Sequence, residues 1–222
     1  MKILELKDLT YSYPNAEYVN LEDKILSSVN YEFEEGKFYA IVGKSGTGKS
    51  TLLSLLAGLD EPKKGDIFFK EHSLEDIGYS DYRKNNISIV FQNYNLIDYL
   101  TPMENVRLVN KDAKEDILYE LGLEDSQINR NINMLSGGQQ QRVAIARALA
   151  SDTPVILADE PTGNLDENTS AEIVDIFKKL AKEKNKCVIV VTHSNELANS
   201  ADVILELKNK KLNEKQPGGK NV

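Results

Sequence analysis

Several residue types are scarce in this chain of 222 residues. Tryptophan is absent, histidine occurs twice, and Cys187 is the only cysteine. A single cysteine cannot form an internal disulfide, so the usage of cysteine indicates a reducing compartment. The apolar neighbours of Cys187 predict a buried side chain rather than a nucleophile. A disulfide-stapled fold is therefore excluded.

Long apolar runs are also missing. Uninterrupted stretches such as residues 188–191 are a few residues long, whereas a membrane-spanning helix needs about 20. The first eight residues lack the apolar segment of a secretory signal. We therefore expect a soluble, cytoplasmic chain whose membrane role depends on a partner.

Basic residues do not dominate the charge. Lysine and arginine number 27 against 35 aspartates and glutamates, which gives a formal net charge of −8. Proteins that bind nucleic acid usually present a basic face, so this balance disfavours a nucleic-acid partner. The apolar content of 41% is enough for one good core. We expect one domain with a small subdomain.

Short apolar runs alternate with amphipathic segments along the chain. Four near-continuous runs predict strands buried on both faces of a parallel sheet, at residues 38–42, 87–91, 155–158 and 187–191. Helices are predicted at residues 50–59 and between the last two strands. The covering face of the second helix consists of apolar residues at helical spacing: Ile173, Ile176, Phe177 and Leu180. The pattern predicts an α/β layered fold.

Three regions depart from this pattern. Near the start, Val29, Tyr31 and Phe33 alternate with polar residues, and the run 67–69 follows a predicted turn at Lys64-Gly65. Both features predict antiparallel strands with one wet face. Residues from about 93 to 134 are polar and helix-biased, most clearly at 113–121. The tail from residue 213 to 222 is predicted to be disordered.

A glycine-rich loop separates the first predicted parallel strand from its helix. It reads Gly43-Lys44-Ser45-Gly46-Thr47-Gly48-Lys49-Ser50, a complete Gly-x4-Gly-Lys-Ser motif. Backbone amides can approach phosphate oxygens because Gly46 and Gly48 have no side chain, while Lys49 reaches the β and γ phosphates and Ser50 holds Mg²⁺. The alternative is a plain strand–turn–helix, which the position of the motif disfavours.

Polar residues follow three other predicted strands. Asp159 and Glu160 directly follow the apolar run 155–158. An aspartate at the end of a strand can hold Mg²⁺, and the next carboxylate can polarise an attacking water. Gln92 and His193 follow their own strands, and ligands of α/β folds bind outside the carboxyl ends of the strands. For each position a solvated loop residue remains the alternative.

A second anion site is predicted at Ser136-Gly137-Gly138. These residues begin a predicted helix with good helix formers throughout, and Ser136 is a suitable N-cap. The free amides and the helix dipole attract an anion. Because the chain already has one phosphate cradle, we expect the second site to serve the nucleotide of a neighbouring molecule. This predicts a head-to-tail dimer with ATP at the interface.

Together these motifs resemble those of the ATP-binding cassette family, over nearly the whole chain to about residue 210. The resemblance identifies residues 43–50 as Walker A, 135–139 as the signature and 155–159 as Walker B. It implies an α/β fold with a P-loop NTPase, RecA-like core. The single domain would span residues 1–212, with the core and an antiparallel β subdomain in 1–92 and 151–212 and a helical subdomain at about 93–150.

The resemblance also implies the roles of individual residues. Glu160 would be the catalytic base, with His193, Gln92, Lys49 and Asp166 completing the catalytic set. Mg²⁺ would be held by Ser50, Gln92 and Asp159. ATP would be bound by the Walker A and signature residues and by an aromatic side chain: Tyr13, Gly43, Lys44, Ser45, Gly46, Thr47, Gly48, Lys49, Ser50, Thr51, Ser136, Gly137, Gly138 and Gln139. For Tyr13 the alternative is a tyrosine packed in a strand, since Tyr11 shares its face.

Finer features point to a subgroup. The segments 91–96, 100–106 and 159–166 resemble ATPases of the lipoprotein-release, macrolide-export and bacitracin-type antimicrobial-peptide systems. This implies a homodimer at the inner face of the cell membrane that drives a large-ectodomain permease, with a membrane-fusion-type adaptor as a further candidate partner. The main alternative is a soluble cassette ATPase with a regulatory, ribosomal or DNA-associated role. A cassette that acts on ribosomes or DNA would normally carry two cassettes or a long coiled-coil insertion, and a non-catalytic regulatory cassette would be expected to lose Glu160 or His193. A GTPase is disfavoured because residues 185–188 lack the aspartate of the guanine-reading motif.

Overall fold

The computed structural model describes residues 1–13 and 24–215. Its strands are β1 (Lys2–Tyr11), β2 (Leu26–Glu34), β3 (Phe38–Val42), β4 (Lys64–Phe69), β5 (His72–Ser73), β6 (Ile87–Val90), β7 (Val155–Asp159), β8 (Cys187–Val191), β9 (Val203–Lys208) and β10 (Lys211–Glu214). Its helices are α1 (Lys49–Leu56), α2 (Leu74–Ile77), α3 (Tyr79–Asn85), α4 (Pro102–Arg107), α5 (Asp116–Glu120), α6 (Asp125–Ile128), a 3₁₀ turn (Ile132–Met134), α7 (Gly137–Ala150), α8 (Glu167–Lys182) and α9 (Asn195–Asn199).

The smaller sheet is antiparallel, with strand order β2-β1-β4-β5. The predicted alternation in β2 is confirmed, because Val29 and Phe33 are buried and Tyr31 is partly buried. The predicted turn at Lys64-Gly65 is instead the beginning of β4. Gly65 has a φ of +76°, and a Cβ there would collide with the backbone of β1. Glycine is needed because strands β1 and β4 approach each other closely at an irregularity in their pairing.

The larger sheet has strand order β10-β9-β3-β8-β7-β6. The four predicted parallel strands are confirmed as β3, β6, β7 and β8. Strand β6 ends at Val90, one residue earlier than predicted. Strand β9 joins the parallel set beside β3, and β10 pairs with β9 in the antiparallel sense. The sequence pattern did not predict these last two strands.

Helices cover both faces of the larger sheet. Alternate residues of β7 point to opposite faces, so Val155 and Leu157 belong to one apolar cluster and Ile156 and Ala158 to the other. Helix α1 packs with the first cluster, which also contains the antiparallel sheet. Helices α7 and α8 pack with the second cluster. The helix after the glycine loop and the helix after Ser136 therefore lie on opposite faces of the sheet.

The predicted helix-rich region contains short helices. The segment 113–121 was expected to be the clearest helix, but α5 covers only residues 116–120. Helix α4 has a capping box, in which the side chains of Thr101 and Glu104 each bond the other's backbone amide, and Pro102 occupies its first turn. Apolar residues of α4 and α5 join the same cluster as α7. The subdomain boundary at about 93–150 stays a prediction.

The ends of two predicted segments need correction. The first helix ends at Leu56 rather than at residue 59, and Gly58 follows with a φ of +63°. Asn213 and Glu214 belong to β10, so the predicted disordered tail does not begin at residue 213. Residues 216–222 of that predicted tail lie outside the described residues. Among the described helices, none is sufficiently long and apolar to cross a membrane.

Candidate nucleotide-binding and hydrolysis site

The glycine loop joins β3 to α1 at the carboxyl edge of the larger sheet. Gly46 and Gly48 have φ values of +77° and +99°, a conformation that side-chain-bearing residues rarely adopt. A Cβ on Gly48 would collide with the side chain of Ile25, whereas the space around Gly46 is open. Thr47 tightens the turn through a 2.9 Å hydrogen bond from its Oγ1 to the carbonyl of Lys44. The loop therefore exposes its backbone at Gly46.

Lys49 lies beneath the loop and is 6% exposed. Its Nζ donates to the carbonyls of Gly43 and Lys44 at 3.0 and 3.3 Å, and lies 3.2 Å from Nε2 of His193. Burial lowers the pKa of the Lys49 ammonium, and the nearby carboxylates of Glu160 and Asp159 oppose that shift. The structure thus brings together a lysine after β3 and a histidine after β8.

Both acidic residues at the end of β7, Asp159 and Glu160, lie at this crevice. Glu160 has a φ of +46°, which turns the chain at the point where two adjacent strand residues would otherwise point apart. Its Oε2 accepts a 3.0 Å hydrogen bond from the backbone amide of His193, and its Oε1 lies 3.4 Å from Nε2 of that histidine. The base candidate and the histidine candidate are therefore in direct contact.

The surroundings of Asp159 show whether this edge of the sheet suits a divalent cation. Its Oδ1 is fully buried and has no hydrogen-bond partner among the described residues. Burial raises the pKa of this carboxyl, while the Ser50 hydroxyl and the charge of Lys49 lower it. A carboxylate and a hydroxyl oxygen side by side are the hard oxygen donors that Mg²⁺ prefers. These residues fit a divalent cation.

Gln92 lies in the turn after β6 and is exposed. Its backbone carbonyl accepts a 3.4 Å hydrogen bond from the side chain of Asn164. Its side-chain Nε2 would be 3.0 Å from a Cβ placed on Gly163. The structure therefore holds Gln92 against the segment that follows Glu160.

Tyr13 and Tyr11 occupy different environments. Tyr11 ends β1 and is 4% exposed, whereas Tyr13 follows the strand and is 56% exposed. The Tyr13 hydroxyl is 3.0 Å from Oγ1 of Thr51, in the first turn of α1. The two rings meet edge to face, with centroids 5.6 Å apart. Tyr13 is thus the ring available beside the phosphate loop, and Tyr11 is the one packed in the strand.

Ser136 begins α7 as predicted. Its Oγ accepts from the amide of Gln139 at 3.3 Å, and the Gln139 side chain accepts from the amide of Ser136 at 2.9 Å. A Cβ on Gly137 would lie 3.0 Å from the Tyr94 hydroxyl, and one on Gly138 would collide with Thr169 of α8. The signature glycines therefore pack closely against neighbouring segments rather than forming a free loop.

Asp166 caps α8. Its carboxylate accepts hydrogen bonds from the backbone amide and hydroxyl of Thr169, at 3.0 and 2.7 Å. The Thr169 hydroxyl and amide lower the pKa of this carboxyl. The predicted catalytic residue Asp166 thus has at least a structural role, which fixes the start of the helix against Gly138.

Sequence reasoning missed two polar residues that fix the segment after Gln92. Asn105 is completely buried and its side chain bonds both the amide and the carbonyl of Ile97, at 2.8 and 3.1 Å. Arg147 donates to the carbonyls of Tyr94 and Asn95. The sequence signal for Arg147 was an arginine in a stretch of α7 that is otherwise rich in alanine and isoleucine.

Comparison with known proteins gives the same family throughout the chain. The family model described as ABC transporter matches residues 26–163. The uncharacterized ABC transporter ATP-binding protein YclH of Bacillus subtilis is 44% identical over 217 residues, which cover 93% of this chain and 94% of that protein. The lipoprotein-releasing system ATP-binding protein LolD of Rickettsia bellii is 39% identical over 222 residues, covering 96% of this chain and 98% of LolD.

Solved structures of one cassette share the fold. The dimeric structure of MJ0796, an ABC transporter cassette from Methanocaldococcus jannaschii, matches with a TM-score of 0.84 and 38% identity, over 98% of this chain and 100% of that one. The same cassette in a dimeric post-hydrolysis state bound to ADP and phosphate gives a TM-score of 0.83, with 37% identity and the same coverage. The predicted fold class is confirmed. The chain belongs to the ABC transporter family and is an ATP-binding ATPase subunit of a transporter.

Proposed function

We propose that two copies of this chain form a head-to-tail dimer with an ATP molecule in each of two shared sites. The observation that carries the proposal is the placement of α1 and α7 on opposite faces of the larger sheet. A nucleotide on the loop before α1 is therefore remote from the amides at the start of α7 of the same chain. Each signature faces a nucleotide held by the other copy. The dimeric state of the MJ0796 cassette supports this arrangement.

We propose Ser50 and Asp159 as the residues that hold Mg²⁺, with Gln92 as a third ligand. The unpartnered Oδ1 of Asp159 and its contact with Ser50 support this choice. When bound, Mg²⁺ neutralises charge that develops on the β and γ phosphates.

The residues around Glu160 perform the hydrolysis in this proposal. Glu160 orients a water molecule for in-line attack on the γ phosphorus and accepts its proton. The bond from that phosphorus to the oxygen shared with the β phosphate breaks, and ADP is the leaving group. Lys49 exchanges its present acceptors, the carbonyls of Gly43 and Lys44, for phosphate oxygens. His193, in contact with both Lys49 and Glu160, donates to the γ phosphate and stabilises the developing charge. Loss of the bridging phosphate lets the two subunits separate.

A substitution of the base tests the dimer and the chemistry together. In Glu160→Gln we expect turnover to be abolished and an ATP-bound dimer to accumulate on gel filtration. The exposed glutamate at position 196 offers a matched control, and Glu196→Gln should hydrolyse ATP normally. A Glu160→Gln protein with near wild-type turnover would contradict the assignment of the base.

A second substitution separates nucleotide binding from dimerisation. Ser136→Phe in the Glu160→Gln background should bind ATP as a monomer and fail to dimerise, because the bulky side chain replaces the N-cap that docks on the partner's nucleotide. Unchanged ATP-dependent dimerisation in this double variant would refute the two-half-site arrangement.

We infer that the dimer drives a large-ectodomain permease that exports or mechanically releases antimicrobial peptides, macrolides or lipoprotein-like substrates. The sequence likeness to LolD, whose name states a lipoprotein-releasing system, supports this class. Exposed Tyr99, Leu108 and Val109 lie in and just beyond the segment 93–106, which supports that region as the permease contact. Val109 also lines a groove of about 350 Å³ between α3, β6 and α7.

Purification from membranes tests the permease proposal. We expect the tagged chain, expressed with its neighbouring reading frames, to co-purify with a four-helix membrane protein that has a large extracellular domain. A membrane-fusion-type adaptor that takes part should be recovered with the same complex. Recovery with ribosomes or DNA instead would favour the soluble-factor alternative.

A further inference from the structure

The segment that follows Gln92 has an unfavourable backbone. Tyr94 and Asn95 are consecutive and have φ values of +58° and +49°. Residues with a Cβ seldom adopt this left-handed conformation, and they keep it only where the surroundings hold them. Something in the fold must therefore fix these two residues.

Arg147 supplies the fixing contacts. Its Nη1 donates to the carbonyl of Asn95 at 2.6 Å and its Nη2 to the carbonyl of Tyr94 at 3.0 Å. The guanidinium presents its donors in a rigid fork, so two separate nitrogens bond the two adjacent carbonyls in a fixed geometry, whereas a lysine would reach both only from one nitrogen on a flexible stem. Arg147 is half-buried on α7. The left-handed pair is thus tied to the signature helix by one side chain.

The same helix touches the segment at a second point. The Tyr94 ring packs against the apolar cluster around α7, and its hydroxyl lies 3.0 Å from the position that a Cβ of Gly137 would take. Gly137 and Arg147 are ten residues apart in α7, or about 15 Å along the helix axis. A rigid helix that contacts the segment at both places carries it along when the helix moves.

The other end of the segment leads to the hydrolysis site. Gln92 is two residues before Tyr94, and its carbonyl bonds Asn164, in the segment after Glu160. Helix α7 therefore connects the amides at Ser136-Gly137-Gly138 with the position of Gln92. In the proposed dimer these two places face different nucleotides.

We propose that Arg147 is a positioning residue that couples the two half-sites within one subunit. Binding of the partner's nucleotide to the start of α7 moves the helix, and Arg147 transmits that movement to Tyr94 and Asn95 and so to Gln92. The coupling rests on the proposed dimer, whereas the hold of Arg147 on the segment exists in the monomer. The two parts can therefore be tested separately.

Hydrogen exchange in the nucleotide-free monomer tests the hold itself. We expect the amides of Tyr94 and Asn95 to exchange about tenfold faster in Arg147→Met than in the wild type. Arg147→Lys keeps the charge but loses the fork, so it should fall between them. Arg130 is exposed and precedes the first residue of α7, and Arg130→Met should exchange as the wild type does. Unchanged exchange in a folded Arg147→Met protein would overturn the proposal, whatever the fate of the dimer.

Steady-state hydrolysis tests the coupling. Arg147→Met should lower kcat about tenfold and leave the KM for ATP within about twofold, because the phosphate loop is not touched. Adding Asn95→Gly should not recover the lost kcat, because glycine adopts a positive φ without strain but does not restore the link to α7. If Arg147 only held the strained backbone, Arg147→Met would lower the unfolding midpoint and that glycine would rescue kcat.

The outcomes separate this inference from the proposed function. If Glu160→Gln fails to dimerise, the shared-site arrangement falls while the exchange result still decides the hold of Arg147. If Glu160→Gln dimerises and Arg147→Met keeps the kcat of Arg130→Met, the coupling role of Arg147 is refuted.

Discussion

Gly138 offers a direct test of how the signature is held. An ideal Cβ at Gly138 would lie closer than 3.0 Å to Cγ2 of Thr169, on the neighbouring helix α8. Two carbons pack best about 3.5–4.0 Å apart, so the pair must separate by at least about 0.5 Å. Overpacking of this kind costs about 1–3 kcal/mol. Gly138→Ala should therefore lower the free energy of unfolding by that amount and displace the start of α7.

The displacement should be visible in nucleotide-dependent assembly. In the Glu160→Gln background, we expect Gly138→Ala to weaken ATP-dependent dimerisation by at least about tenfold, because a shift of 1 Å at a reacting site can cost about a hundredfold. Gel filtration at graded protein concentrations measures the dimer dissociation constant, and chemical denaturation measures the free energy of unfolding.

A second substitution decides the cause. Thr169→Ser removes the colliding methyl group and keeps the hydroxyl that bonds Asp166. The double variant Gly138→Ala/Thr169→Ser should therefore recover stability and dimerisation. If Gly138→Ala dimerises like its parent, the packing argument is wrong. If the double variant recovers its stability but still dimerises poorly, the alanine methyl group at position 138 blocks the phosphate directly, and Thr169 is irrelevant to dimerisation.

Two further predictions concern the nucleotide and metal candidates. Burial raises the pKa of Asp159 above its ordinary 3.8, so the folded state binds the proton more tightly, and the free energy of unfolding falls as pH rises through the window between the two values. Asp159→Asn should remove this pH-dependent loss of stability, which thermal melts from about pH 4 to pH 7 would measure. The same variant should also be stabilised less by Mg²⁺ and ATP. If the nucleotide-free variant is less stable than the wild type at neutral pH, the inferred cost of burying the Asp159 charge is wrong. Tyr13→Ala should weaken ATP binding by about 5- to 150-fold, since stacking on an aromatic ring is worth about 1–3 kcal/mol per base. Tyr13→Phe keeps the ring and loses only the hydrogen bond to Thr51, and Tyr11→Phe is a buried control. Both should change the dissociation constant for ATP, measured by fluorescence, much less than Tyr13→Ala does. Equal effects of all three substitutions would count against stacking.

Local rules explain why many elements could be predicted from the sequence. Near-continuous apolar runs identified the parallel strands β3, β6, β7 and β8, because both faces of such strands are covered. The capping box at Ser136 depends on residues three apart, so its geometry follows from the sequence around it. The capping box at Thr101 follows the same rule and was readable in the same way.

The sequence predictions failed where contacts between distant segments determine the structure. Strands β9 and β10 form by pairing with β3 and with each other, and their sequences show only weak local strand patterns. The short length of α5 depends on its packing with α4 and α7 rather than on helix propensity. Gly65 reads as a turn residue in sequence, but its role is to let β4 pass the backbone of β1.

By itself the sequence predicted which chemistry this protein carries: the phosphate loop, the two acids that follow an apolar run and the second anion site at Ser136. Only the tertiary structure decided how they relate. It placed α1 and α7 on opposite faces of one sheet, brought Glu160 against His193, and tied Tyr94 and Asn95 to Arg147. Motifs depend on a few neighbouring residues, whereas these relations depend on how strands pair and which faces of the sheet the helices cover.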